Sequence, residues 1–271
     1  MYAVRKLLSI LLVLVVGALI FNYVFKLYSI TFKTEKEYEF RIPLKLCVAY
    51  NTSSKNPQDL IQILGEYGVI VSVLNVERLA TSKSHTSVLA DLYSPCETIL
   101  FIDFPSKNDT GYEPSLLALL AYADKNFVIF TSTVPEDVLN DTLVFVPNKT
   151  VEVREITVYN APKPKEEDPH SSICFFCIHV PLFFTHQYED PYPTMYNGTV
   201  TEYASVLLYA EVKGRYDNNR NFDDEVPFLV HRGKIFFINM DLSTKKTLNK
   251  PYATTLLVDL LWYIYHNLYI G

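Results

Sequence analysis

Three observations predict an α/β layered sandwich around a mainly parallel sheet. Short apolar runs recur through the first half of the chain, helical patterns separate them, and each run is apolar along its whole length rather than at alternate positions. A strand that is apolar throughout is buried on both faces, which is the condition of a parallel sheet whose crossover helices cover both sides.

The elements follow in order. "LKLCVAY" (44 to 50) is a short strand, and "PQDLIQILGEYG" (57 to 68) places Leu60, Ile61, Leu64 and Tyr67 at helical spacing before Gly68 supplies a stop. "VIVSVLN" (69 to 75) reads as a second strand, "HTSVLADLYS" (85 to 94) as a short helix and "TILFID" (98 to 103) as a third strand. "EPSLLALLAYADK" (113 to 125) is a helix with Pro114 in its first turn, and "FVIFTS" (127 to 132) is a fourth strand. This is a Rossmann-like three-layer sandwich.

From 143 the pattern changes. "TLVFVPNKTVEVREITVYNA" alternates as β structure, "PKPKEEDPH" (162 to 170) is a charged, proline-rich loop, and "EYASVLLYAEVKG" (202 to 214) fits strand or helix. A β-rich insertion over about 143–225 is therefore expected. A hairpin over 226 to 239, turning at Arg232 and Gly233, returns the chain to the main body. The last apolar stretch, 252 to 270, carries Asp259 and His266, so it is expected to pack on the sheet rather than cross a membrane.

Ahead of all this, residues 7 to 25, "LLSILLVLVVGALIFNYVF", hold no charge. At about 1.5 Å rise per residue they are long enough for a hydrocarbon core roughly 30 Å thick. Gly17, Ala18 and Leu19 make a poor small-x-small cleavage site, so an anchor is favoured over a cleaved signal. The organisation expected is an anchor over 1–30, a tether over 31–43 and an α/β domain over 44–271.

Lysines and arginines flank the span on both sides, so charge does not orient it. Five N-x-[ST] sequons, at Asn51, Asn108, Asn140, Asn148 and Asn197, favour an extracytoplasmic body, and four of them fall in stretches that read as loops. Four cysteines, Cys47, Cys96, Cys174 and Cys177, allow two disulfides in any of three pairings. A net charge of −6 supplies no field for phosphate backbones, and no basic stripe interleaves with aromatics, which sets nucleic acid aside.

Two segments carry a family resemblance. "GYEPSLLALLAYADKNFVIFTS" (111 to 132) resembles the capped helix and buried strand of class I glutamine amidotransferase-like domains. "HRGKIFFINMDLSTKKTLNKPYATTLLVDLLWYI" (231 to 264) resembles the closing segment of an uncharacterised bacterial and archaeal family of membrane-anchored proteins with that fold, matching at Gly233, Lys234, Asp241, Ser243, Asn249 and Trp262. The resemblance implies an amidotransferase-like body and a nucleophilic cysteine after the fourth strand, with a later His and acidic residue. Here that strand ends in Thr131-Ser132-Thr133-Val134-Pro135, with neither cysteine nor flanking glycine. The catalytic residues of the resemblance are absent, so no catalytic residue and no cofactor are expected.

Ligand chemistry has one other address. Asn51, Asn75, Asp103, Ser132 and Asp241 end predicted strands, and the carboxyl ends of parallel strands share one edge. Asp103, Ser132 and Asp241 are the tentative ligand-binding residues there, with polar loop starts as the bland reading. Cys174, Cys177, His179 and His186 are zinc-ligand types, but the histidines lie seven apart, unlike a usual second half-site, and disulfide or buried thiols are favoured over a metal. The functional expectation is a non-enzymatic, membrane-anchored extracytoplasmic interaction or scaffold protein with a protein partner. The alternative is a small-ligand or sugar-binding protein, or a hydrolase, working through the strand-end cleft.

Overall fold

In the computed structural model, residues 41–52, 56–105, 112–160, 183–190, 192–243, 247 and 251–269 are described. The span read at 7 to 25, the tether as far as residue 40, Asn108, Cys174, Cys177, His179 and Asn249 lie outside them, while Ile42, expected in the tether, is buried and donates to the Tyr67 carbonyl. Among the described residues no helix is long and apolar enough to cross a membrane.

A mixed α/β sheet organises the body. Strand β1 (Lys45–Tyr50) lies between β2 (Ile70–Asn75) and β3 (Thr98–Phe101), then come β4 (Phe127–Thr131) and β10 (Ile235–Ile238), all five parallel. The parallel part is Rossmann-like. Its helices are α1 (Gln58–Glu66), α2 (Val76–Thr81), α3 (His85–Tyr93), α4 (Tyr112–Ala123), α5 (Glu136–Thr142) and α6 (Pro251–Tyr269).

Local chemistry places these elements. Leu60 and Leu64, one turn apart, bury one side of α1, and Gly68, at φ 77°, turns the chain into β2. The Asn75 side chain accepts from the Glu77 amide and the Ser84 hydroxyl from the Ser87 amide, which caps α2 and α3 at their otherwise unsatisfied first turns. α5 ends at Leu143, a left-handed cap at φ 55°.

The pleat then sorts the apolar runs onto two faces. Cys47, Ala49, Ile99, Phe101, Val128, Phe130 and Phe237 meet α2, α3, α4 and α5 on one face. The alternate residues Leu46, Val48, Leu100, Ile129, Phe236 and Ile238 are as deeply buried on the other, where Phe236 meets Tyr263 of α6. Each fully buried Phe contributes about 1.5–3 kcal/mol relative to leaving it in water.

β10 closes the parallel half and opens the rest of the sheet. It pairs antiparallel with β9 (Asn221–Arg232) across a turn at Gly233, φ 56°. Beyond β9 come β8 (Ser205–Tyr216), β5 (Phe145–Asn160) and β6 (Phe183–Gln187), all antiparallel, while β7 (Thr194–Val200) pairs with the first half of β5. The β-rich stretch thus extends the same sheet. The ambiguous segment over 202 to 214 is strand, because its alternate residues Leu208, Ala210 and Val212 are buried at period two.

One disulfide joins Cys47 in β1 to Cys96, just ahead of β3, with a Cα–Cα distance of 5.4 Å. Both residues are buried. The sequence left three pairings open, and the parallel neighbours β1 and β3 select this one.

The sequons fall differently from their sequence reading. Asn51 follows β1, but Asn140 is on α5, Asn148 is in β5 and Asn197 is in β7. Asn148 faces solvent where β5 slips register between Pro147 and Lys149. The polar "PNK" composition that suggested a loop is a bulged strand.

Candidate functional site

The carboxyl edge of the parallel strands is where the fold class places ligands. It is assembled here from the ends of β3, β4 and β10, which are neighbours in that order. Asp103, Ser132 and Asp241 therefore do lie along one edge, as their positions in sequence predict. Their side chains, however, are each engaged by local backbone or covered.

Asp103, half-buried, accepts from the amide of Phe104 at 2.9 Å. Asp241 accepts from both the amide and the hydroxyl of Ser243, at 2.7 and 2.6 Å, closing its own turn. β4 separates the two chain ends, so the carboxylates start from strands about 10 Å apart. On β4 and just past its end the hydroxyls turn toward the β3 side: Thr131 donates to the Phe101 carbonyl at 3.1 Å and Thr133 to the Ile102 carbonyl at 2.8 Å. These bonds tie β4 to β3 rather than present donors to a ligand.

Ser132 is the residue that stands where a nucleophile belongs. Its hydroxyl donates to the Thr194 carbonyl at 2.9 Å, and the residue is 6% exposed. β7 is the cover. Next along the same strand, the Tyr196 hydroxyl donates to the Val134 carbonyl at 3.1 Å, and its burial pushes that phenol up to about 12. The Tyr196 backbone is gripped from β10 by the side chain of Asn239, which is itself fully buried.

The backbone also lacks the device that a nucleophile needs. A nucleophile elbow holds its residue in a strained turn between strand and helix. β4, the turn and α5 reproduce the order strand, turn, helix, but no residue from Thr131 to Pro135 has positive φ. Among the described residues a histidine base is missing as well. His85 opens α3, His186 lies in β6, His231 pairs with Phe236 at the opposite end of the sheet, its imidazole pushed down by burial, and His266 lies tilted against Trp262 along α6 at 4.3 Å.

Two shallow depressions lie elsewhere, on the antiparallel strands. One, about 310 Å³, is walled by Glu155, Lys213, Asp223, Asp224 and Glu225; the other, about 280 Å³, by Glu136, Lys149, Tyr216 and Asp217. In the first, Lys213 lies 2.7 Å from Glu155 and, with Gln187, pulls that carboxyl below its ordinary value by hydrogen bonding. Both are solvated charge clusters. Among the described residues no group of His, Cys, Asp and Glu is arranged to hold a metal ion.

Sequence reasoning missed Thr194, Tyr196 and Asn239. Only Asn239 left a trace, as the one amide interrupting the apolar run "IFFINM".

No family model matches the chain, and no curated protein matches it in sequence. Among solved structures, one that is similar is a GMP synthase component, so described, from Thermoplasma acidophilum, at 9% identity and a TM-score of 0.49, over 83% of this chain and 95% of that one. The likeness is weak.

Proposed function

We propose that this chain is a non-enzymatic, membrane-anchored extracytoplasmic protein whose α/β body acts as an interaction or scaffold domain. One observation carries the proposal: β7 of the insertion is seated on the strand end where an amidotransferase-like enzyme would hold its nucleophile, and it takes the Ser132 hydroxyl as a donor. A hydroxyl committed to a carbonyl, with no described histidine beside it, has no base to remove its proton.

Two further features support the location. The Cys47–Cys96 disulfide suits an oxidising compartment. The apolar span at 7 to 25 supplies the anchor, and a body displayed from it works by contact.

The test has two arms. In membranes carrying the full chain, the body is expected to be open to protease from the outer face and to shift on glycosidase treatment; a protected, unmodified body overturns the location. A fluorophosphonate probe is expected to leave Ser132 unlabelled, and stoichiometric labelling lost in Ser132→Ala overturns the non-enzymatic reading.

A further inference from the structure

The strand-start edge of the sheet, opposite the covered edge, differs from the rest of the surface. Most large apolar side chains exposed among the described residues gather on it: Ile70 at the first position of β2, Tyr93 at the end of α3, Leu143 at the end of α5, Tyr203 ahead of β8 and Tyr269 at the end of α6. Their shared edge is fixed by the pairing and contacts. Ile70 is in register with Lys45, the Tyr93 hydroxyl donates to the carbonyl of Ala121 in the last turn of α4, and Tyr269 hydrogen-bonds Glu97 just before β3. Arg232, opposite Ile235, donates to the Thr142 carbonyl next to Leu143 and sits over the Tyr203 ring at 5.8 Å.

The described chain also enters at this edge. Ile42 bonds the Tyr67 carbonyl, and Leu44 leads straight into β1. Between the span at 7 to 25 and Arg41 the chain reaches at most about 58 Å when fully extended. α6 ends on the same side, at Tyr269.

Charge is divided along the same axis. On the edge, Arg41, Lys45, Lys125, Arg232 and Lys234 are matched by Glu66, Glu97, Asp124, Asp141 and Glu202. The far part of the antiparallel strands instead carries Glu211, Asp217, Asp223, Asp224 and Glu225 against Lys213, Arg215 and Arg220. An anionic bilayer surface repels that acidic part and is indifferent to the balanced edge.

Exposed tyrosine rings, apolar in body and polar at the tip, with long cationic side chains on the same edge, are the residues that settle at the headgroup level of a bilayer. We infer that the strand-start edge is a membrane-facing surface, lying against the headgroups of the bilayer with Tyr203, Tyr93, Tyr269, Ile70 and Leu143 as its contacts. The inference rests on the membrane-anchor reading and adds an orientation to it: the covered carboxyl edge and the acidic strands point away from the lipid, where a partner meets them.

The test uses the full chain in phosphatidylcholine vesicles, with Trp262→Phe removing the one native tryptophan. Single reporters are Tyr203→Trp and Ile70→Trp on the edge and Asp217→Trp at the β8–β9 turn. With brominated lipid, the two edge reporters are expected to lose most of their emission and Asp217→Trp to keep it. If the chain floats with the vesicles but Tyr203→Trp and Ile70→Trp are quenched no more than Asp217→Trp, the orientation is overturned while the anchor stands. If both edge reporters are shielded from iodide yet untouched by brominated lipid, a second copy covers the edge and the inference also falls. Failure to float removes the anchor itself, which is the separate failure of the reading beneath.

Discussion

The side chain of Asn239 pairs with the backbone of Tyr196 as a neighbouring strand would: its oxygen accepts from the Tyr196 amide and its nitrogen donates to the Tyr196 carbonyl, both at 2.8 Å. The same nitrogen reaches the Pro227 carbonyl at 2.9 Å. One amide therefore holds β7 down on the strand ends from β10. Asn239→Ala leaves three backbone groups without that partner and is expected to cost about 3 kcal/mol, read as a lower denaturation midpoint of the full chain in detergent. It is also expected to loosen β7, so that amide exchange at Tyr196 accelerates more than exchange in β1.

The disulfide gives a prediction of similar size with a redox control. Cys47 and Cys96 are 49 residues apart, and closing a loop of that length in the unfolded chain is worth about 4 kcal/mol on the chain-entropy account. Reductant is expected to lower the Tm of the native chain. A Cys47→Ala, Cys96→Ala variant is expected to start at the lower value and not respond further.

Asp259 makes stability depend on pH. It is buried on α6, neither carboxylate oxygen has a hydrogen-bond partner among the described residues, and burial pushes its carboxyl from 3.8 up to about 7. The folded state then holds a proton that the unfolded state has released. Stability is fully present below about pH 4, falls as pH rises toward 7 and levels off above it. Asp259→Leu is expected to remove that slope and to gain on the order of 2 to 4 kcal/mol at pH 8, as read from denaturant titrations at a series of pH values.

Two backbone positions are expected to respond in opposite directions. A Cβ on Gly214 meets the Glu152 carbonyl of the paired strand, so Gly214→Ala is expected to cost about 2 kcal/mol or more. Leu143 holds a left-handed conformation with a branched side chain, so Leu143→Gly is expected to gain about 1 kcal/mol. Thermal unfolding of the two single variants checks both signs.

The residues show why the sheet was readable and its edges were not. Runs such as "TILF" and "FVIFT" announce buried strands because every side chain but the terminal threonine is apolar, and the 232–233 turn is visible in its glycine. α2, with the sequence "VERLAT", is too short to show a helical period, and α5 hides behind Pro135 because "EDVLNDT" holds only two apolar residues, side by side. The site itself was legible only as positions. That Asp103, Ser132 and Asp241 share an edge follows from strand order, whereas the placement of β7 over Ser132 depends on a contact spanning 62 residues that no local pattern encodes. Asn239 stood in plain view without a partner to give it meaning.

The place of β10 in the sheet has a consequence for how the protein is made. The strand that completes the parallel half, between β4 and β9, is the last one among the described residues. Until Ile235–Ile238 has emerged from the ribosome, β4 shows an unpaired edge on a strand whose side chains are apolar except for Thr131. A nascent chain in that condition needs a chaperone to hold that edge, and a nonsense change anywhere before β10 discards the whole body rather than trimming its end.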